Sequence, residues 1–329
     1  MGWKGTVRSI GAAVRAAERD AKRRQRELEK QKKQYEKMQE LEQAEYEVEV
    51  HENEIEIIQS IHKECSARID WEKISKSVEP KTPINLKSNE ESARLKADNY
   101  KPSFIDKILK REEKKRTSHS KNIINAIEED KAEYSKVINN WENEVTDWRE
   151  SVVLSKRLLK GDEEAKIKAI EELDPFSEIY NLGSGLTITT NDSGLIGATI
   201  HIHGNYIVPS EIKSLLKSGK LSVKNMPKGR FNEIYQDYVC SCALRIANEI
   251  FSIIPDDMVT VTAVDELLSP KTGHLEKSPI LSVCVSRSTL DSLNMSNIDP
   301  SDSMSNFIHN MSFKKTKGFE PVELVSSPS

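Results

Sequence analysis

Apolar side chains recur at alternating spacings of three and four along one stretch: Ile124, Ile127, Tyr134, Ile138, Trp141, Val145, Trp148 and Val152, with Lys131 the one interruption. An α-helix keeps such positions on a single narrow stripe, and a long narrow stripe is buried by another helix lying alongside it. Two of the four tryptophans of the protein sit on this stripe. The spacing assigns these residues to a coiled-coil interface and gives Trp141 and Trp148 a packing role.

An earlier segment carries the matching pattern. One heptad register runs from Trp3 through Val7, Ile10, Val14, Ala17, Ala21, Arg24, Leu28, Gln31 and Tyr35 to Met38, then slips to Leu41, Ala44, Val48, His51, Ile55 and Ile58. The extra spacing of three at the slip is the kind of discontinuity that overwinds a coiled coil. Arg24 and Gln31 make the middle of the stripe polar, so pairing is weakest there. Charge is segregated as well. Ten basic and five acidic side chains lie between Arg15 and Lys37, whereas Glu40 to Glu56 holds eight glutamates and neither lysine nor arginine. Such blocks favour a partner of opposite pattern.

Pro80, Pro83 and Pro102 punctuate a polar loop at about residues 76–102, with a short helix expected near Glu90 to Ala97. A second long helix is expected from about Ser103 toward Lys160, and the simplest arrangement of the two is an antiparallel hairpin. Gly161 ends it, and Asp162 caps a further helix through Leu173.

The charge balance places a boundary at Asp174-Pro175. Residues 1–173 are about 42% charged and residues 174–329 about 19%, against a typical value of roughly 25%. The expected organisation is a helical coiled-coil region over 1–173 and an α+β domain over 174–329 with a flexible C-terminal tail, giving an α+β chain overall. Past the boundary the apolar period changes from 3.6 to 2. Leu186 to Thr190 and Leu195 to Ile202 flank Asn191-Asp192-Ser193-Gly194, a hairpin signal. A short helix is expected over Ser210 to Ser218 and a long amphipathic one over Phe231 to Ile254. Strands are expected over Met258 to Leu268 and Pro279 to Ser286, and a short helix over Ser288 to Leu293. The sheet is mixed or antiparallel, with about four strands.

Three constellations carry possible chemistry. His201 and His203 are two apart on a strand, so both imidazoles face one side and can share a divalent metal, with Asp265 or Glu266 completing the set. A metal-dependent hydrolase or nuclease is the function that site would imply; without it no cofactor is expected. The restriction-type arrangement of Asp or Glu, one residue, and Lys is found as Glu164-Ala165-Lys166, inside a helix. A basic run holds Lys213, Lys217, Lys220, Lys224, Lys228 and Arg230, with no acidic residue between Glu211 and Glu233. Near the end, Lys314, Lys315 and Lys317 alternate with Phe313 and Phe319. Cations neutralise phosphates and aromatic faces stack on bases, so these lysines are candidates for nucleic-acid binding. The third is Met1-Gly2-Trp3-Lys4-Gly5-Thr6, which fits an acylation pattern; its apolar face continues into the heptads, which favours a protein partner over a membrane.

No Gly-x-x-x-x-Gly-Lys phosphate loop and no Gly-x-Ser-x-Gly elbow occurs. Cys65, Cys240, Cys242 and Cys284 form no Cys-x-x-Cys pair and read as reduced thiols of a cytoplasmic protein. The stretches Met1 to Arg8 and Asp299 to Phe319 resemble those of bacterial coiled-coil proteins of unknown function, which assigns no residue a role. The function expected is a cytoplasmic, non-enzymatic interaction protein. Its helical region would make a homo-oligomer or hold a protein partner, and its α+β domain would bind a ligand such as nucleic acid. An accessory subunit of a bacterial defence-type assembly has the same architecture.

Overall fold

The computed structural model describes residue 22 and residues 40–102, 111–176, 185–190, 194–202 and 204–326. The heptads expected from Trp3 to Met38 and the imidazole of His203 lie outside these residues. The helices are α1 (Glu40–Gln59), α2 (Trp71–Ser75), α3 (Ser88–Asp98), α4 (Glu112–Leu159), α5 (Glu163–Leu173), α6 (Gly204–Ile207), α7 (Lys228–Ile253), α8 (Arg287–Ser292) and α9 (Pro300–Ser303). The strands are β1 (Leu186–Thr190), β2 (Ile196–His201), β3 (Glu211–Leu215), β4 (Leu221–Asn225), β5 (Met258–Leu268), β6 (Leu275–Ser286), β7 (Ile308–Lys314) and β8 (Gly318–Glu320). The class is α+β, with a long helix ahead of a mixed sheet. The described residues divide into two compact units, one built within residues 75–153 and the other on residues 40–74 together with those from 154 to 326. The sheet therefore shares its unit with α1, α2, α5 and the last turn of α4, which the charge balance groups with the helical region.

In the sheet unit six strands lie in the order β1-β2-β5-β6-β7-β8, with β2 and β5 parallel and the other pairs antiparallel. Alternation sorts the faces. Ile196, Ala198 and Ile200 of β2, with Val259, Val261 and Ala263 of β5, are enclosed beneath α7. The other face carries a cross-strand row of Thr187, Thr199, Thr262, Ser282 and Asn310. Six strands replace the four expected because β7 and β8 form where a flexible tail was anticipated. The rings of Phe313 and Phe319 pack 5.2 Å apart, and Val325 N–H donates to Ser282 Oγ at 3.1 Å.

Helix α7 is enclosed all round from Tyr238 to Ala247, although its sequence reads as amphipathic. The sheet covers one side, and residues 59–71 run along another as a strap. His62 N–H donates to Ser241 Oγ at 2.9 Å, Arg245 Nη1 to Glu64 Oε2 at 3.0 Å, and Ile69 N–H to the Ser252 carbonyl at 2.9 Å. Trp71 Nε1 closes the series on the Ile253 carbonyl. At the C-terminal end of α7, Arg287 donates to the carbonyls of Phe251, Ile254 and Asp256 at 3.2, 2.5 and 2.7 Å. A cation there satisfies orphan carbonyls and meets the negative end of the helix dipole.

The expected helix over 210–218 is instead strand β3, turning through Gly219 (φ +77°) into β4 as a separate two-stranded sheet. This hairpin packs on α1, and Lys213 Nζ lies 3.1 Å from Glu47 Oε2. A tertiary partner has overridden a weak local helix signal. Asp162 caps α5 as the sequence suggests, accepting from Ala165 N–H at 3.0 Å. The hydrogen bond from Arg157 holds its carboxyl below the usual carboxylate range.

In the unit of residues 75–153, α4 is lined by the segment 77–98 running antiparallel to it. Trp148 Nε1 donates to Ser77 Oγ at 2.8 Å, and Trp141 Nε1 to the Pro80 carbonyl at 3.0 Å. Farther along, the buried carboxylate of Asp130 accepts from the backbone N–H groups of Asn89 and Glu90 at 3.1 and 2.8 Å. It thereby caps α3, whose own N-cap residue Lys87 makes no side-chain cap bond. The stripe on α4 also moves. Val145 is buried and Ile127, Tyr134, Ile138, Trp141, Trp148 and Val152 are half-buried, but Ile124 is 57% exposed, and Asp130 rather than Lys131 points inward. A strict heptad drifts by about 20° per repeat on a straight helix. From Val145 back to Ile124 that comes to roughly 60°, enough to hand the inward position toward the preceding residue.

Candidate nucleic-acid interface

The nine basic candidates separate into two groups. Lys213 is paired with Glu47, and Lys217, Lys220 and Lys224 are exposed along the β3–β4 hairpin. Lys228 and Arg230 open α7, and Lys315, in the turn between β7 and β8, is held against that first part of the helix, with Lys314 and Lys317 beside it in sequence. Three contacts fix this meeting of segments. Asn232 Nδ2 donates to the Lys315 carbonyl at 2.7 Å, and Lys315 Nζ lies 2.5 Å from Glu233 Oε1. The stem of Lys315 crosses Gly229, where an added Cβ would meet its Cγ and Cε at 3.3 Å.

The cations stay at the surface while their stems and the neighbouring rings are packed. Tyr235 meets Phe319 edge-on at 5.4 Å, and Phe319 meets Phe313. Tyr235 also donates to Asp265, and burial together with that carboxylate pushes its hydroxyl pKa up. Phe319 is buried and holds the hairpin on Tyr235 of α7, while Phe313 is half-buried beside it. Lys314 is bridged to Glu320 at 3.2 Å. Lys228, Arg230 and Lys317 are exposed, so the surface presents positive charge carried by a rigid frame. Asn232 and Glu233, which do the anchoring, carry no cation pattern; the one hint was a polar pair at the start of an apolar helix face.

Arg230 also borders a cleft of about 430 Å³ between the end of α1, the first half of α7 and the start of α9. Glu52, Glu56, His62, Asp237 and Asp299 line it with Lys63. Burial raises the Asp237 carboxyl above the usual range, and Gln59 Nε2 donates to it at 2.5 Å. Asp299 caps α9 through the N–H groups of Ser301 and Asp302 at 2.9 and 3.0 Å. His62 Nδ1 lies 2.8 Å from Ser241 Oγ, and burial lowers its pKa. Ser241 is fully enclosed, so this Ser–His pair clamps the strap to α7 and gives a substrate no hydroxyl to reach.

Of the expected metal set, His201 and Asp265 are not brought together. His201 sits between the enclosed Ile200 and Ile202 and so projects from the face opposite α7, whereas Asp265 takes the hydroxyl of Tyr235 on the α7 side. Strand alternation, which makes His201 and His203 look like a pair, also separates His201 from Asp265. His203 itself lies outside the described residues. Among the described residues no three His, Cys, Asp or Glu side chains gather as a metal site requires. No helix among them is long and apolar enough to cross a membrane. Comparison with known protein families, curated proteins and solved structures finds no match to this chain.

Proposed function

We propose that this chain is a non-catalytic interaction protein whose sheet unit binds nucleic acid and whose helical unit mediates protein association. The observation that carries the first half is the convergence of Lys228 and Arg230 with Lys314, Lys315 and Lys317, held in register by Asn232 and Glu233. Two basic segments far apart in sequence meet on one surface, and the folded frame beneath them spares the entropy of ordering a flexible tail on binding. Exposed lysine and arginine at such a surface exchange counterions for phosphates, which gives affinity with little sequence preference.

Fluorescence anisotropy with labelled single- and double-stranded oligonucleotides tests this. The expected signature is a linear fall of log K with log salt, with a slope magnitude of about 3 for three to five phosphate contacts. Replacing Lys228, Arg230, Lys314 and Lys317 together with Glu abolishes binding, while Lys217→Glu with Lys220→Glu on the other hairpin leaves most of it. Salt-independent binding, or binding unchanged by the fourfold reversal, would refute the assignment.

A further inference from the structure

The unit of residues 75–153 is short of a core. Of the 44 buried apolar side chains among the described residues, only Ala126 and Val145 belong to it. Burying a large apolar side chain contributes about 1.5–3 kcal/mol, whereas ordering each residue costs about 1–2 kcal/mol of backbone entropy. The segment along α4 compounds the shortage, because Val78, Ile84 and Leu86 on it are 85%, 82% and 77% exposed. Leu95 of α3 and Ile124 and Val137 of α4 are exposed as well. Val78, Ile84 and Leu86 line the segment that runs beside α4 between the Trp148–Ser77 and Asp130–Glu90 contacts.

We infer that this apolar edge is buried by a second copy of the same chain, with the two α4 helices antiparallel about a two-fold axis. The charges on α4 select both the occupant and its direction. Residues 112–121 carry four basic and two acidic side chains, and residues 142–152 carry four acidic and one basic. Antiparallel overlap of residues 112–152 brings the basic end of each copy against the acidic end of the other. Parallel pairing would set like charges together at both ends. A self-complementary patch of this kind is what a two-fold interface requires, since each contact then occurs twice. The inference rests on the proposed association role of the helical unit and is independent of the nucleic-acid surface.

The test uses the full chain with Cys65→Ser and a single spin label at either position 121 or position 132, together with light scattering across protein concentration. The scattering is expected to show a concentration-dependent dimer. In it the 132–132 labels lie close together and the 121–121 labels about 30 Å farther apart, from 1.5 Å per residue on each of two helices. Glu142→Lys with Glu144→Lys weakens the dimer by about tenfold, and adding Lys114→Glu with Lys121→Glu restores it. A monomer at all concentrations, equally short distances at both positions, or association lost on deleting residues 1–38 would overturn the proposal. Salt-sensitive oligonucleotide binding by the same samples reports on the sheet unit separately, so either reading can fail without the other.

Discussion

The sheet unit and the helical unit solve the same problem with very different means. In the sheet unit α7 is enclosed on all sides from Tyr238 to Ala247, by the sheet and by a strap anchored at His62, Glu64, Ile69 and Trp71. In the helical unit α4 has an extended segment and an eleven-residue helix beside it, fastened by polar contacts from two tryptophan N–H groups and one aspartate. Both helices carry apolar side chains in helical period. The difference is how much of each is removed from water within one chain. A core of interdigitated side chains stands alone, whereas a half-covered heptad stripe is completed from outside.

Truncations should separate the two regimes. Phe251→Ala in the sheet unit is expected to cost about 3–5 kcal/mol in chemical denaturation, because the ring is buried between α7 and Arg287. Arg287→Ala is expected to cost about 1–3 kcal/mol, leaving the terminal carbonyls of α7 without their donor. In the helical unit, Asp130→Ala removes the cap of α3 at about 1 kcal/mol. Its loss should appear in amide exchange at Asn89 and Glu90 and leave the melting of the sheet unit unchanged. A uniform loss of stability across both units would break the contrast.

Smaller effects sharpen it. Burial favours neutral His62, so the folded chain takes up its proton at lower pH than the unfolded chain, whose histidine titrates near 6.5. The stabilising contribution is therefore present above pH 6.5 and is lost as pH falls below it through the folded value. Thermal melts should show His62→Gln flattening the pH dependence of the sheet unit in that window. The smallest expected change is Ile84→Ser with Leu86→Ser, which alters monomer stability by only about 0.5 kcal/mol or less while reducing self-association.

The elements legible in the sequence are those decided locally. The β1–β2 pair, α7, the Asp162 cap and the β5–β6 pair each follow from periodicity or turn chemistry within a few residues. Strand β3 does not, because its conformation is set by packing on α1. Strands β7 and β8 were hidden by lysines that read as a solvated tail, although Phe313 and Phe319 pack beneath them. The site follows the same division. The basic residues were visible one by one, but their grouping depends on Asn232 reaching the Lys315 carbonyl across the fold. On α4 the covered positions follow the apolar spacing from Ile127 to Val152 and leave Ile124 exposed, since a straight helix does not hold a strict heptad on one line.

Hydrogen exchange at two protein concentrations tests the contrast between the units most directly. Protection of α7 and strands β2, β5 and β6 should be the same at both, since those elements are covered within the chain. Protection of α4 between residues 119 and 148 should rise with concentration as the second copy covers it. Equal protection of α4 at both concentrations would contradict the account.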